Sequence, residues 1–121
     1  MIATTPRLLR GTDLRYTLTR LLQLHGPATI AELIAMLNAE GFTVAGRPSK
    51  TVSDALRWEV GRGRVWRIGR SRYRAGDVPR GTQHRIIKRV RQLIGEVLSL
   101  RGGQSETQLG FDVLDARVGQ R

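Results

Sequence analysis

Residues 46–75 join a short helical pattern to a basic hairpin pattern, and few small folds contain that order. Pro48-Ser49 is a helix-start signal, since the Ser49 hydroxyl can accept a hydrogen bond from a free N–H of the first turn. Apolar residues then recur at helical spacing and form one face: Val52, Ala55, Leu56 and Val60. Gly61 and Gly63 end the pattern, because glycine adopts a positive φ at little cost. The sequence predicts a helix over residues 49–60.

A β-hairpin is predicted directly after this helix. Residues 65–68 and 72–74 have strand patterns, and Gly69-Arg70-Ser71 between them suits a tight turn. Arginine occupies about every second position between residues 62 and 74. Because alternate side chains of a strand share a face, this period predicts guanidinium groups along one exposed edge of the hairpin.

Two amphipathic helices precede this unit. Leucines at helical spacing predict the first helix over about residues 13–25. Thr29 and Glu32 form a capping box that begins the second helix, over about residues 30–40. Between it and the third helix, residues 42–44 are predicted to be a short extended piece.

The order helix, helix, turn, helix, hairpin is that of a winged helix-turn-helix. We predict a mainly α (α+β) fold: a three-helix winged helix-turn-helix with a β-hairpin wing, plus a long C-terminal helix. The three helices must pack on one another to bury their apolar stripes, with Trp66, Ile68 and Tyr73 sealing the base. The predicted organisation is a flexible N-terminal arm at residues 1–11, the winged-helix domain at 12–76, the C-terminal helix at 77–101, and a joint with a short C-terminal helix or tail at 102–121.

The predicted C-terminal helix carries an apolar seam with alternating spacings of four and three residues. Its members are Ile86, Val90, Leu93, Val97 and Leu100. The seam could pack on the chain's own three-helix core, or it could pair with a second copy. We favour a homodimer through the helix at residues 82–100, because the stripe is wider than a small winged domain usually needs to cover.

The net charge of +11 is concentrated in one part of the chain. Residues 44–91 contain 14 Lys/Arg residues and three acids, whereas the rest of the chain contains seven of each. A concentrated basic patch predicts a polyanionic partner. Of the 21 basic residues 19 are arginines, whose planar fork suits phosphate and guanine edges. A GC-rich genome could explain the preference for arginine but not its clustering.

Composition and motifs argue against several other classes of protein. The chain has no cysteine, which excludes disulfides and thiolate metal sites. No apolar run reaches about 18 residues, so we expect no membrane span, no signal peptide and a cytoplasmic location. The two histidines, His25 and His84, lie far apart, and the chain lacks both a phosphate-binding loop with Lys-Ser/Thr and an H-E-x-x-H motif. We expect no enzymatic activity, no cofactor and no metal.

The helix-hairpin unit also resembles a known family. The run T-V-S-x-x-L from Thr51, followed by V-x-R-I-G-R-S-R-Y from Val65, is similar to winged-helix domains of the HARE-HTH and linker-histone-like type. The resemblance covers about residues 13–76 and implies a winged-helix fold that contacts nucleic acid. Ser71 stands where the family usually has a second glycine, and some members of the family are instead protein-interaction modules.

We therefore expect a non-enzymatic protein that binds double-stranded DNA, as a transcriptional regulator or a nucleoid-associated protein. The helix at 49–60 would enter the major groove, with its N-terminus on phosphate and Arg57 on a guanine edge. The wing at 64–74 would reach the backbone or a narrow minor groove, where the negative potential attracts arginine. The predicted DNA contacts are Arg47, Ser49, Lys50, Thr51, Ser53, Arg57, Arg64, Arg67, Arg70, Arg72 and Arg74. RNA binding and protein interaction are the alternative functions.

Overall fold

Four helices and two small sheets are formed by residues 6–100, the part of the chain that the structure, a computed structural model, describes. The helices are α1 (Gly11–His25), α2 (Ile30–Ala39), α3 (Pro48–Gly61) and α4 (Arg80–Leu100). The strands are β1 (Arg7–Leu9), β2 (Ala28–Thr29), β3 (Phe42–Val44), β4 (Val65–Gly69) and β5 (Arg72–Ala75). The fold is mixed α+β, as the sequence predicts, and the joint and tail predicted at 102–121 lie outside the described residues.

Local chemistry sets the boundary between α1 and α2. The Glu32 N–H donates a hydrogen bond to the Thr29 hydroxyl at 3.1 Å, and the Thr29 N–H donates one to the Glu32 carboxylate at 2.8 Å. This is the predicted capping box, and α2 begins directly after it at Ile30. Gly26 ends α1 with a φ of 85°, a value that favours glycine. The predicted boundary between the first two helices is confirmed.

The start of α3 differs from the prediction. The helix begins at Pro48, and Arg47 is the N-cap residue without a side-chain hydrogen bond. The N-cap role predicted for Ser49 is therefore wrong. Proline suits the first helical position because its φ is already helical and its missing N–H would have no partner there. The Thr51 hydroxyl donates to the Ala45 carbonyl at 2.7 Å, which ties the first turn of α3 to the preceding loop.

Strand β1 lies in the segment that was predicted to be a loose arm. It pairs in parallel with β3, with Arg7 opposite Phe42 and Leu9 opposite Val44. Leu9 and Phe42 are both buried in the core. The prediction of a flexible arm over residues 1–11 is therefore wrong for residues 7–9, because burial of an apolar side chain and strand pairing both hold them in place.

The hairpin belongs to a three-stranded antiparallel sheet in the order β2-β5-β4. Tyr73 lies in the central strand, opposite Ala28 on one side and Arg67 on the other. Both predicted strands of the hairpin are confirmed, whereas β2 was not predicted. Arg70 and Ser71 form the turn, and Ser71 has a φ of 55°, which is uncommon for a residue other than glycine.

One apolar core receives side chains from all four helices. Helix α4 packs along α1, and its seam is buried within this single chain, at Ile86, Val90, Leu93 and Val97. In the structure the seam packs on the chain's own core, which is the first of the two arrangements considered for it. The homodimer predicted through residues 82–100 loses its basis, because these seam residues are already covered.

Three apolar side chains that were predicted to face inward are exposed. Val60 is 38% exposed because the buried side of α3 consists of Val52, Leu56 and Glu59 instead. Trp66 and Ile68 are 46% and 45% exposed, since Val65 is the residue at the start of β4 that enters the core. Of the three residues expected to seal the base, Tyr73 alone is buried.

Candidate nucleic-acid interface

A groove of about 310 Å³ lies between α3 and the hairpin. Helix α3 contributes Ser53, Arg57 and Val60 to its lining, and the hairpin contributes Arg67, Ser71 and Tyr73, with Ile30 at one end. Arg67 faces this groove because it is paired with Tyr73, and residues directly opposite each other in a sheet share a face. The groove therefore has one predicted DNA-contacting arginine on each wall.

The two arginines of the groove are exposed, as a contact with an external anion requires. The Arg67 Nε donates a hydrogen bond to the Gly69 carbonyl at 3.2 Å, which draws this side chain toward the turn. Arg70 occupies the turn itself and is also exposed. Arg57 and Arg67 thus place guanidinium groups on both walls of the groove, and Arg70 lies in the turn next to it in sequence.

The outward side of α3 adds a lysine and a carboxylate to this surface. Lys50 and Asp54 form an exposed ion pair at 2.9 Å, one helical turn apart. The hydrogen bond from Lys50 holds the pKa of Asp54 below its usual value, so the carboxylate is charged at neutral pH. A fixed negative charge here repels phosphate but can accept a hydrogen bond from cytosine N4.

The start of α3 carries four of the predicted contacts. Arg47, Ser49 and Lys50 are exposed there, and the Thr51 N–H donates to the Arg47 carbonyl at 3.0 Å. The Thr51 hydroxyl is occupied by the Ala45 carbonyl, so it serves the loop rather than an external ligand. Free N–H groups and the helix dipole make this end of α3 attractive to a phosphate.

Arg64 is the clearest correction to the predicted set of contacts. Its Nε and Nη2 atoms donate to both oxygens of Glu59, at 2.8 and 2.7 Å. Glu59 is fully buried, and its carboxylate also accepts from the Thr19 hydroxyl at 2.9 Å and lies 3.5 Å from the Arg15 Nε. The hydrogen bond to Glu59 raises the pKa of Arg64 above its usual value, and only 14% of the Arg64 side chain is exposed. We therefore remove Arg64 from the DNA-contacting set.

The sequence contains a signal for this buried ion pair in the position of Glu59. Glu59 follows Leu56 by three positions and Val52 by seven, so it falls on the apolar side of the helix. A carboxylate at such a position needs a partner, because burial of an unpaired charge is strongly unfavourable. The nearby arginines supply it.

Arg72 and Arg74 lie on the opposite face of the hairpin from Arg67. They flank Tyr73, whose side chain points into the core, so both point outward. The Arg74 guanidinium stacks over the Trp66 ring, 4.4 Å from its centroid. The hairpin arginines therefore occupy two faces, and the predicted single edge of guanidinium groups is wrong.

Part of the basic excess is neutralised inside the protein. Arg89 of α4 donates to both oxygens of Asp13 at 2.8 and 3.0 Å, and this hydrogen bonding lowers the pKa of Asp13. Arg7 of β1 donates to Glu96 at 2.6 Å. These arginines join β1, α1 and α4, so they stabilise the fold and are not free to bind an anion.

Comparison of the chain with protein-family models, with curated proteins and with solved structures gave no match. Within residues 6–100, no group of three or more His, Asp or Glu side chains is arranged to hold a metal ion. In the same part of the chain, no helix has both the length and the apolar character needed to cross a membrane.

Proposed function

We propose that this chain is a winged helix-turn-helix protein that binds duplex DNA and has no enzymatic activity, acting as a transcriptional regulator or a nucleoid-associated protein. Helix α3 is the recognition helix, and the β4–β5 hairpin is the wing. The observation that supports this proposal best is the groove between them, which carries Arg57 on one wall and Arg67 on the other. The proposed location is the nucleoid of the cytoplasm.

The groove has the shape and charge to receive one strand of the DNA backbone. With α3 in the major groove, the phosphates at the edge of that groove pass between helix and wing. Arg67 then donates to this backbone from the wing, and Arg57, whose guanidinium has five N–H donors, contacts both the backbone and the adjacent guanine edge. Charge-assisted hydrogen bonds of this kind are the stronger class. Arg70 continues the contact at the tip of the wing, toward the adjoining minor groove.

Base recognition falls to the outward side of α3. Lys50, Ser53 and Asp54 lie along it, before Arg57 on the following turn. Arginine and lysine donate to guanine, carboxylates accept from cytosine, and each good pair discriminates by about 1–3 kcal/mol. Arg57→Ala should therefore relax sequence preference as well as weaken binding, whereas loss of a pure phosphate contact weakens binding to all sequences alike.

The test is duplex binding by fluorescence anisotropy with a double variant of the groove. Arg57→Ala with Arg67→Ala should weaken binding by about 100-fold, taking about 1.5 kcal/mol for each charge-assisted hydrogen bond. Lys88→Ala is the matched control, because Lys88 is an exposed cation of α4 outside the groove. Equal losses from the double variant and from Lys88→Ala would contradict the proposed interface.

A second candidate is binding of RNA, and the exposure of both tryptophans favours it. Trp58 and Trp66 are 50% and 46% exposed, and aromatic faces stack on unpaired bases. Each ring is already stacked by arginine, Trp58 by Arg15 and Arg62 and Trp66 by Arg74. Competition between duplex DNA and structured RNA for the labelled protein distinguishes these two candidates. Binding to another protein that survives nuclease treatment would favour a protein-interaction module instead.

A further inference from the structure

Ile68 is an exposed apolar side chain within the most basic part of the surface. It is 45% exposed and does not pack against the core cluster. The other large apolar residues of the hairpin are accounted for: Val65 and Tyr73 are buried, and Trp66 lies under Arg74. A Cβ placed on Gly76 would come within 2.7 Å of the Trp66 Nε1, so the indole also packs against the backbone there.

The sheet register explains why Ile68 projects from the hairpin. Pairing passes from Arg67 opposite Tyr73 to Gly69 opposite Arg72, which leaves Ile68 as an extra residue in β4. Such a bulge redirects a side chain and interrupts pairing, and bulges are common at sheet edges and next to active sites. Ile68 therefore stands one residue before the end of β4 with no residue directly opposite it.

The charges around Ile68 indicate the kind of partner that can cover it. Arg67 precedes it, Arg70 lies in the adjoining turn, and Arg72 stands opposite its neighbour Gly69; all three are exposed. A second copy of this chain would bring the same cations against each other, which is unfavourable. The partner must be anionic and must also offer an apolar slot, and a base step seen from the minor groove provides both.

We propose that Ile68 is a wedge that inserts between base pairs of the minor groove and kinks the DNA when the wing docks. This inference rests on the proposed function. Arginines of the wing hold the backbone on either side, and the isoleucine side chain partly unstacks the step between them. Steps that unstack easily, such as TA, should be preferred at this position because they are the most readily kinked.

The experiment measures bending and binding separately. A duplex of about 25 base pairs with a central TA step carries a donor and an acceptor dye at its ends, and a matched duplex carries 2-aminopurine at the step. Wedges of this kind bend DNA by about 20–90°. The full-length protein should raise energy transfer and 2-aminopurine fluorescence, and Ile68→Thr should lose most of both while its affinity falls about threefold to tenfold. Threonine keeps the β-branched shape that suits a strand, so melting followed by circular dichroism should be unchanged.

Two further variants make the result specific. Ile68→Met keeps an apolar wedge and should retain the bend. Lys88→Ala removes an exposed side chain of α4 that lies outside the groove and should also retain it. Tight duplex binding with the same bend in the native protein and in Ile68→Thr would overturn the wedge and leave DNA binding standing. Failure of the native protein to bind any duplex would overturn the proposed function and the wedge together. If Ile68→Thr keeps the bend but light scattering shows a changed oligomeric state, Ile68 would be assigned to self-association instead.

Discussion

Arg64 binds both carboxylate oxygens of Glu59, at 2.8 and 2.7 Å, and so joins the start of the wing to the end of the proposed recognition helix. Glu59 lies on the buried side of α3, and Arg64 directly precedes β4. The two elements proposed to contact DNA are therefore held at a set orientation by an ion pair that is itself withheld from solvent. Arg64 therefore positions the wing, whereas exposed arginines such as Arg57 and Arg67 are available to a ligand.

Loss of this buried pair should destabilise the fold. Glu59→Gln keeps the shape of the side chain but leaves Arg64 without its ionic partner, and breaking a buried pair in this way costs about 3 kcal/mol. Urea denaturation followed by circular dichroism measures the free energy of unfolding. Asp54→Asn is the matched control, because the pair with Lys50 is exposed and screened by solvent, so its loss should change the free energy of unfolding very little. Equal losses from the two variants would contradict the structural role of Glu59.

The two faces of the wing should differ in their effect on DNA binding. Arg67→Ala removes a guanidinium from the groove and should weaken duplex binding about tenfold. Arg74→Ala removes one that stacks on Trp66 on the outer face and should weaken binding less than threefold. Anisotropy titrations of both variants on one duplex make the comparison, and a larger loss from Arg74→Ala would place the DNA on the other face.

The N-terminal strand should be part of the cooperative fold. Leu9→Ala empties a buried position and should lower the free energy of unfolding by about 2–5 kcal/mol. Leu8→Ala, at the half-buried neighbouring position, should cost less than half as much. Urea denaturation of the two variants checks this. An effect of Leu9→Ala no larger than that of Leu8→Ala would show that residues 7–9 behave as a loose arm in solution.

The pair of Asp13 with Arg89 should make stability depend on pH in acid. The hydrogen bond from Arg89 holds the pKa of Asp13 below its usual value of 3.8. A carboxyl group with a depressed pKa in the folded state stabilises the fold above its unfolded pKa, and this contribution is lost as the pH falls through the folded pKa. The native protein should therefore exceed Asp13→Asn in stability at neutral pH, and the difference should shrink once the pH falls below about 3.8.

Unfolding free energies measured in urea from neutral pH down to about pH 2 follow this difference. Glu32→Gln is a useful control, because the pKa of Glu32 is lowered chiefly by a hydrogen bond from the Thr29 backbone N–H and not by a hydrogen bond from an arginine. A difference between the native protein and Asp13→Asn that stays constant down to the lowest pH would contradict the proposed pair.

Elements fixed by local chemistry could be predicted from the sequence. The Thr29–Glu32 capping box, the end of α1 at Gly26 and the two strands of the hairpin all depend on residues a few positions apart. Pairings between distant segments could not be predicted. Strand β1 is three residues long, and its partner β3 is more than thirty residues away in the chain, so no sequence periodicity predicts the pairing of the two strands.

The same distinction between local and long-range interactions applies to the candidate site. The positions of Arg57 and Arg67 on facing elements follow from the helix and hairpin patterns, but the bulge at Ile68 and the capture of Arg64 by Glu59 depend on tertiary packing. The seam of α4 illustrates a further limit, since an apolar stripe looks the same whether its own chain or a second copy covers it. In the structure α1 covers it.

The salt dependence of duplex binding tests the central claim most directly. Neutralisation of about six to eight phosphates predicts that the logarithm of the affinity falls with the logarithm of the salt concentration at a slope of about −5 to −7. Removal of Arg57 and Arg67 together should reduce the magnitude of that slope by about two. An affinity that does not change with salt, or no measurable binding to any duplex at low salt, would contradict the account.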